Sequence, residues 1–308
     1  MLIRRYTHFS DTLVRSHFSD RFTQPMSHLF STIDLHCHST ASDGTLSPSE
    51  LVVLAHDRGV KHLALTDHDT VAGLPGAIEC GLELGVNIIS GVEFSALWNG
   101  LNIHILGLNF DNRSEVIKAA TARQEASRFS RAQTIADRLS KKGFDDLYDG
   151  ALEKSGGQAP GRPHIALAMV ERGYVSNVSA AFKKYLGSGK VGDVKSLWPS
   201  INEVVSWITD AGGSAVIAHP RKYKMTVTKL RRLIEEFSEA GGEGLEVITS
   251  GQKQGEIGLL TDLCVRYGLK GSLGSDFHSP AQTWVNLGAI PKLPQSVTPI
   301  WEEWNLVD

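Results

Sequence analysis

The sequence has no uninterrupted apolar run near the ~18–20 residues that a membrane-spanning helix needs, which points to a soluble protein with no membrane partner. Cysteine is scarce: Cys37, Cys80 and Cys264 are odd in number, far apart and form no CxxC pair. That argues against a disulfide scaffold and fits a reducing, cytoplasmic setting. Internal repeats and low-complexity tracts are missing as well. What is present is 308 residues of 41% hydrophobic content. This suffices for a substantial core, in one large α/β domain with an insertion or in two domains.

A strong excess of one charge is also lacking, since 31 basic and 34 acidic residues leave a net −3. The distribution is less even than the total. Residues 112–198 hold 15 Lys/Arg against 9 Asp/Glu, a balance of 15 − 9 = +6, and the rest of the chain therefore carries 16 − 25 = −9. An acidic body suits cations and a basic segment suits anions, although solvated helix faces give the same unevenness. Residues 1–31 show no clear periodicity. They have no apolar signal core, and Asp11 and Asp20 spoil a transit composition, so they read as an N-terminal extension.

From Thr32 onward, short apolar runs alternate with helical patterns. Strands are expected at 32–37, 61–66, 86–92, 101–108, 214–218, 244–248 and 270–273. Ser47-Pro48-Ser49-Glu50 and Ser200-Ile201-Asn202-Glu203 read as capping boxes that open helices. Strands separated by helices of about 10–15 residues imply βα units and a parallel sheet, and their number favours barrel-like closure. The stretch 112–198 instead reads as consecutive helices at 113–142, 163–171 and 178–186. The expected organisation is an extension (1–31), a first barrel part (32–111), a helical insertion (112–198), a second barrel part (199–291) and a C-terminal tail (292–308).

The chemistry-bearing residues fall at the ends of these strands. In Asp34-Leu35-His36-Cys37-His38, alternation puts Asp34, His36 and His38 on one face and Cys37 on the other. Two imidazoles spaced in this way make a bidentate clamp, and Asp43 follows in a Gly-containing turn. Thr66-Asp67-His68-Asp69-Thr70 closes the next strand; Asp69 or Thr70 would cap the following helix, which leaves His68 unexplained. Glu93 follows a third run and suits a bridge between cations. His104 sits inside an apolar strand, as core histidines often do. His219-Pro220 and Ser275-Asp276-Phe277-His278 close two later strands. In a parallel barrel such ends converge on one rim. His36, His38, Asp43, His68, Glu93, His104, His219, Asp276 and His278 exceed what one metal needs, so two or three cations are expected. Imidazole and carboxylate without cysteine suits manganese, iron or zinc in a reactive site rather than a structural zinc.

The segments IDLHCHSTASDG, LALTDHD, GVEFS, HILGLN, AHP and GSDFH, in this order, resemble the PHP (polymerase and histidinol phosphatase) family over nearly all of residues 33–287. The resemblance implies a distorted (β/α)7 barrel with a helical insertion subdomain, a di- or trinuclear metal centre and phosphoester hydrolysis, with all nine residues as ligands. The insertion resembles that of a bacterial branch that degrades short RNA 5′ to 3′ and removes the 3′-phosphate of nucleoside 3′,5′-bisphosphates. By that likeness Arg128, Arg131, Arg162 and His164 would bind a nucleotide or short RNA substrate, with Lys183, Lys184 and Tyr185 as weaker candidates. The stretch Gly192–Pro199 departs from the expected entry into the barrel.

Two divalent cations bridged by Glu93, manganese first, would lower the pKa of a shared water towards neutrality for in-line attack on phosphorus. A third, held by Asp43 and His68, would stabilise the leaving oxygen, or His68 would protonate it directly. Two readings compete: a histidinol-phosphate-type monoesterase, which needs acidic groups around an amine, and a non-catalytic metal- or RNA-binding module. The basic segment opposes the first, and a full ligand set without aromatic platforms opposes the second. No obligate protein partner is evident.

Overall fold

The computed structural model describes residues 30–194, 198–304 and 306. The expected N-terminal extension therefore lies outside the described residues, except Phe30 and Ser31. In chain order the elements are β1 (Ile33–Asp34), α1 (Pro48–Asp57), β2 (His62–Leu65), α2 (Leu74–Leu84), β3 (Asn87–Trp98) and β4 (Leu101–Leu108). A helical stretch follows: α3 (Glu115–Ser140), α4 (Leu147–Lys154), α5 (Arg162–Glu171), α6 (Val178–Ala181) and a π-helical turn, Phe182–Leu186. The chain continues with α7 (Ile201–Asp210), β5 (Ser214–Ile217), a 3-10 turn at Pro220–Tyr223, α8 (Val227–Glu239), β6 (Gly244–Thr249), α9 (Gln254–Tyr267) and β7 (Lys270–Gly274). Both capping boxes form as the sequence suggests, with Ser47 and Ser200 exchanging hydrogen bonds with Glu50 and Glu203.

The strands lie side by side in chain order from β1 to β7. Closure comes from the ends: Leu35 N donates to Leu273 O at 3.1 Å, and His38 N to Phe277 O at 2.8 Å. Gly274 allows this approach, because a Cβ there would stand 2.8 Å from the His36 nitrogen. The result is a nearly closed seven-stranded barrel.

The sheet is not wholly parallel, contrary to the sequence expectation. β4 runs antiparallel to both β3 and β5. The cause is local: Asn99 and Gly100, with φ of 45° and 72°, join β3 to β4 as a two-residue hairpin turn. A parallel crossover needs a dozen or more residues, which this link does not have. β3 also runs on to Trp98, so Glu93 lies within the strand rather than after it. At the other extreme β1 stops at Asp34, and beyond it the expected alternation lapses. Leu35 joins the cluster formed with Ala64, Leu106 and Val216, whereas Cys37 joins the core shared with the helices.

Besides the cluster around Leu35 and Leu106, two larger cores hold the described residues together. The larger packs sheet residues such as Phe94, Ile105 and Ile217 against α1, α7, α8 and α9. The smaller lies among α3 to α6, with Ile135, Leu139, Ile165 and Met169. Helix α3 belongs to both, since Ile117 and Ala120 pack on the barrel core while Ala132 onward packs on the helical one. Each fully buried Leu, Ile or Met side chain contributes about 1.5–3 kcal/mol, so α3 is firmly fixed at both ends. A helix with this anchorage places its middle residues, 124–131, over the barrel rim.

Candidate metal centre and its arginine corner

The structure brings His36, His38, Asp43, His68, Glu93, His104, His219, Asp276 and His278 together at one barrel rim. Glu93, fully buried in β3, is the hub. His104 Nδ1 and His219 Nε2 each stand 2.8 Å from its Oε1, while His68 Nδ1 (2.9 Å), His38 Nε2 (3.3 Å) and His36 Nε2 (3.5 Å) face Oε2. Asp276 Oδ1 lies 3.5 and 3.3 Å from His36 and His38 Nε2, and Asp43 lies 3.4 Å from His278 Nε2. His104 reaches the rim although it is mid-strand, because antiparallel β4 begins near the mouth and Ser95 pairs with it across the hairpin.

The donor set is suited to cations. Four overlapping groups have ligand atoms within 4.8 Å of one another: His38–Asp43–His68–His278, His36–Glu93–His219, His36–His38–Asp276 and His68–Glu93–His104. Burial leaves His36 Nε2, both nitrogens of His38, His68 Nδ1, His219 Nδ1, Asp43 Oδ1 and Glu93 Oε2 without a hydrogen-bond partner. Buried polar atoms are rarely left so, and each costs about 1–3 kcal/mol unless an ion or water takes it up. The residues present therefore fit two or three divalent cations.

Electrostatics agree with this. Burial, then the neighbouring charge of His278, pushes the His38 imidazole down to about 3, so at neutral pH the ring is uncharged and one of its nitrogens offers a lone pair. For Glu93 burial acts upwards, but His68, His104 and His36 outweigh it and hold the carboxylate well below its usual range. Burial likewise pulls His278 down, yet Asp43 and Asp276 prevail and lift it to about 9.

Supporting residues were less visible in the sequence. Glu246 of β6 is fully buried; its Oε1 lies 2.9 Å from His36 Nδ1, and its Oε2 accepts the His219 backbone N–H. This leaves His36 Nε2 free as the ligand atom and fixes the ring plane. It is not among the residues expected from the sequence; the signal that could have found it is a single acid within the apolar run Gly244–Thr249. Asp67 accepts from Ser39 and Ser42 at 2.6–2.8 Å and shapes the loop that carries Asp43. Asp34 does not join the histidines: it accepts Ser275 N–H at 2.8 Å, and burial raises its pKa to about 6.

Asp69 does not cap a helix as the sequence allowed; Gly73 is the N-cap of α2 and has no side-chain cap. Instead Asp69, buried and with φ of 57°, accepts Ser95 N–H at 2.6 Å, Gln124 Nε2 at 2.8 Å and Arg128 Nε at 2.6 Å. Arg128 is thus locked to the rim. Arg131 donates Nε to Val194 O at 2.8 Å, and both guanidiniums lie over the Trp198 ring, 5.6 and 5.3 Å from its centroid. Arg162 donates to Leu186 O at 3.1 Å. The three arginines line a cavity of about 160 Å³ that also touches Asp43, His68 and His104. Burial, followed by repulsion from Arg162 and Arg128, lowers Arg131 to about 9.

His164 accepts the Gly161 N–H at 3.0 Å and so closes the start of α5, while still lining a second cavity of about 420 Å³ beside Asp43, His68 and Arg128. Lys183 and Lys184 are exposed on the π-helical turn, and Tyr185 packs on Phe144 with ring centroids 4.8 Å apart. None of these three lines either cavity. The unusual stretch before α7 contributes Trp198 to the corner; Lys195, Ser196 and Leu197 lie outside the described residues.

A nearly closed seven-stranded barrel whose rim gathers imidazoles and carboxylates defines the metal-dependent phosphoesterase class. A model of the PHP domain matches residues 34–212, and the chain belongs to the PHP family. It is 46% identical over 271 residues to a 5′-3′ exoribonuclease of Haemophilus influenzae, covering 88% of this chain and 98% of that protein. It is 38% identical over 272 residues to a 3′,5′-nucleoside bisphosphate phosphatase of Chromobacterium violaceum, covering 88% and 95%. Among solved structures, an amidohydrolase from Chromobacterium violaceum with bound sulfate and no metal superposes with a TM-score of 0.82 at 38% identity, over 89% of this chain and 95% of that one. Among the described residues no helix is long and apolar enough to cross a membrane.

Proposed function

We propose that this protein hydrolyses the 3′-phosphoester of a nucleotide that carries a 5′-phosphate, with nucleoside 3′,5′-bisphosphates and short 5′-phosphorylated RNA as substrates. The observation that carries this reading is the corner formed by Arg128, Arg131 and Arg162, a site for a second phosphate that shares His68 and Asp43 with the cluster. The relatives named as an exoribonuclease and a bisphosphate phosphatase support it. An amine-bearing substrate such as histidinol phosphate would be repelled by the same corner.

The nine rim residues would hold two or three divalent cations, manganese first. Bound there, such cations supply Lewis acidity and an activated water. The chain's own groups do the rest. Arg128, set by Asp69, and Arg131, set by Val194 and Trp198, clamp the 5′-phosphate with charge-assisted hydrogen bonds. The nucleoside lies in the larger cavity between this clamp and the cluster. Water adds to the 3′-phosphorus as the O3′–P bond breaks, and the electron pair leaves on the 3′-oxygen, which takes up a proton. His68, lining both cavities, stands on that side. A protonated His68 would place positive charge where the oxygen departs; with His38, Asp43 and His278 it is also among the residues that would hold a cation. The phosphate leaves as inorganic phosphate from a bisphosphate, or remains as the new 5′-phosphate of a shortened RNA. In this reading the barrel parts 32–111 and 199–291 perform the chemistry, and the insertion 112–198 selects the substrate.

The test is one assay of manganese-loaded protein on a nucleoside 3′,5′-bisphosphate, a 5′-phosphorylated oligoribonucleotide and histidinol phosphate. Turnover of the first two is expected. Turnover of histidinol phosphate alone overturns the proposal.

A further inference from the structure

At the ends of β5 and β6 a further recess of about 160 Å³, equal in volume to the arginine corner, is lined by His219, Arg221, Lys222, Thr249, Gln252 and Glu256. His219 joins it directly to the cluster, because the same ring bonds Glu93 at 2.8 Å. The volume is below the roughly 300 Å³ of ordinary small-molecule pockets, so it suits a backbone link rather than a whole nucleotide.

Its chemistry is that of an anion site with a built wall. Arg221 Nε is held 3.4 Å from Glu256 Oε1, which fixes the guanidinium at the edge of the recess. Lys222 Nζ extends from the 3-10 turn to Asp276 and marks where recess and cluster meet. Thr249, at the end of β6 and 4% exposed, has a hydroxyl with no hydrogen-bond partner. A buried hydroxyl that turns to no protein group is costly unless a ligand or water completes it. Gln252 closes the loop by accepting the Thr249 N–H at 2.9 Å.

We infer that this recess, bounded by Arg221, Lys222, Thr249 and Gln252, holds the phosphodiester that follows the scissile one in an RNA substrate. The inference deepens the function proposed above and rests on it. With the 5′-terminal nucleotide on the helical side and its 3′-phosphate at the cluster, the chain continues across the rim into this recess. A bisphosphate ends at the cluster and leaves the recess untouched. Arg221 and Thr249 therefore act as specificity residues for the polymer, and cleavage uses the same bond in both substrates.

The test uses the full, manganese-loaded chain with Arg221→Ala, Arg221→Lys and Thr249→Val; Lys222 is left intact because it contacts Asp276. On a 5′-phosphorylated pentaribonucleotide, Arg221→Ala should lower kcat/KM about tenfold through KM, as loss of a charged hydrogen bond does. Thr249→Val should lower it about threefold, a neutral hydrogen bond's worth, and Arg221→Lys should recover most of the loss. On the bisphosphate both variants should stay within about twofold. Equal losses on the two substrates, or no loss on RNA, overturn the inference. Fluorescence anisotropy of a labelled phosphorothioate pentaribonucleotide separates this from the parent reading. Arg221→Ala should flatten the slope of log Kd against log salt by about 0.7, one phosphate contact on a single strand. An unchanged slope refutes the recess even if the wild type turns over neither substrate, an outcome that would refute the function instead.

Discussion

The barrel rim and the helical stretch beside it are both rich in charged side chains, yet they are finished to different degrees. At the rim, atoms of His36, His38, His68, His219, Asp43 and Glu93 are buried without partners. In the arginine corner each guanidinium already has one: Arg128 on Asp69, Arg131 on Val194 and Arg162 on Leu186. The rim presents unpartnered donor atoms that fit cations, whereas the arginine corner is pre-set by hydrogen bonds within the protein. Reaction and recognition are thereby assigned to parts with different dependences, and the two can be perturbed separately.

The largest expected effect is at the hub. Glu93→Gln should lower kcat about 10³-fold or more, the scale of losing a central electrostatic group, and reduce bound manganese measured by elemental analysis. His68→Ala should lower kcat by about 10²–10⁴-fold, as loss of an acid or charge at the leaving oxygen does. Near-normal turnover in either variant would erase the division between rim and corner. Arg128→Ala should instead raise KM for the bisphosphate about tenfold or more, for a charged hydrogen bond, while kcat and metal content hold. A fall in metal content there would show that the two parts are not separate.

Smaller effects sharpen the contrast. Cations at a hundred times Kd should stabilise the protein by about 2.7 kcal/mol, so chelation should lower Tm by several degrees. Hydrogen exchange should then rise at β1, β3 and β7 while α4 and α5 keep their protection. pH gives the mildest test. His278 has a folded pKa of about 9, above its ordinary 6.5. Its stabilising contribution in the cation-free protein is therefore complete below 6.5 and is lost as pH rises through 9. Cation binding requires the neutral ring, so manganese affinity, followed by calorimetry, should climb up to about pH 9 with release of a proton. An affinity independent of pH over that range would remove His278 from the ligand set.

Much of the candidate site was legible because its residues stand where apolar runs stop, and a rim gathers run ends regardless of detail. Glu93 and His104 were harder: one lies inside a longer strand than the hydrophobic run suggested, the other in a strand whose direction is set by Asn99-Gly100 alone. The role of Asp69 was not legible at all, because its partners Ser95, Gln124 and Arg128 are far away in sequence. Helix α4 was missed for a local reason. It is eight residues long, has Gly150 at its middle, and begins after Asp146 in a left-handed conformation, with no capping side chain to announce it.

The meeting of β7 with β1 carries a consequence for biosynthesis. His36 and His38 leave the ribosome early, but Asp276 and His278 emerge only after nearly the whole barrel has been made. Until then the first strand has no neighbour at its open edge, and three of the four groups that hold ligand atoms in common lack either a residue or the frame that positions it. A nascent chain would thus carry the arginine corner before the rim cluster has its full set of residues.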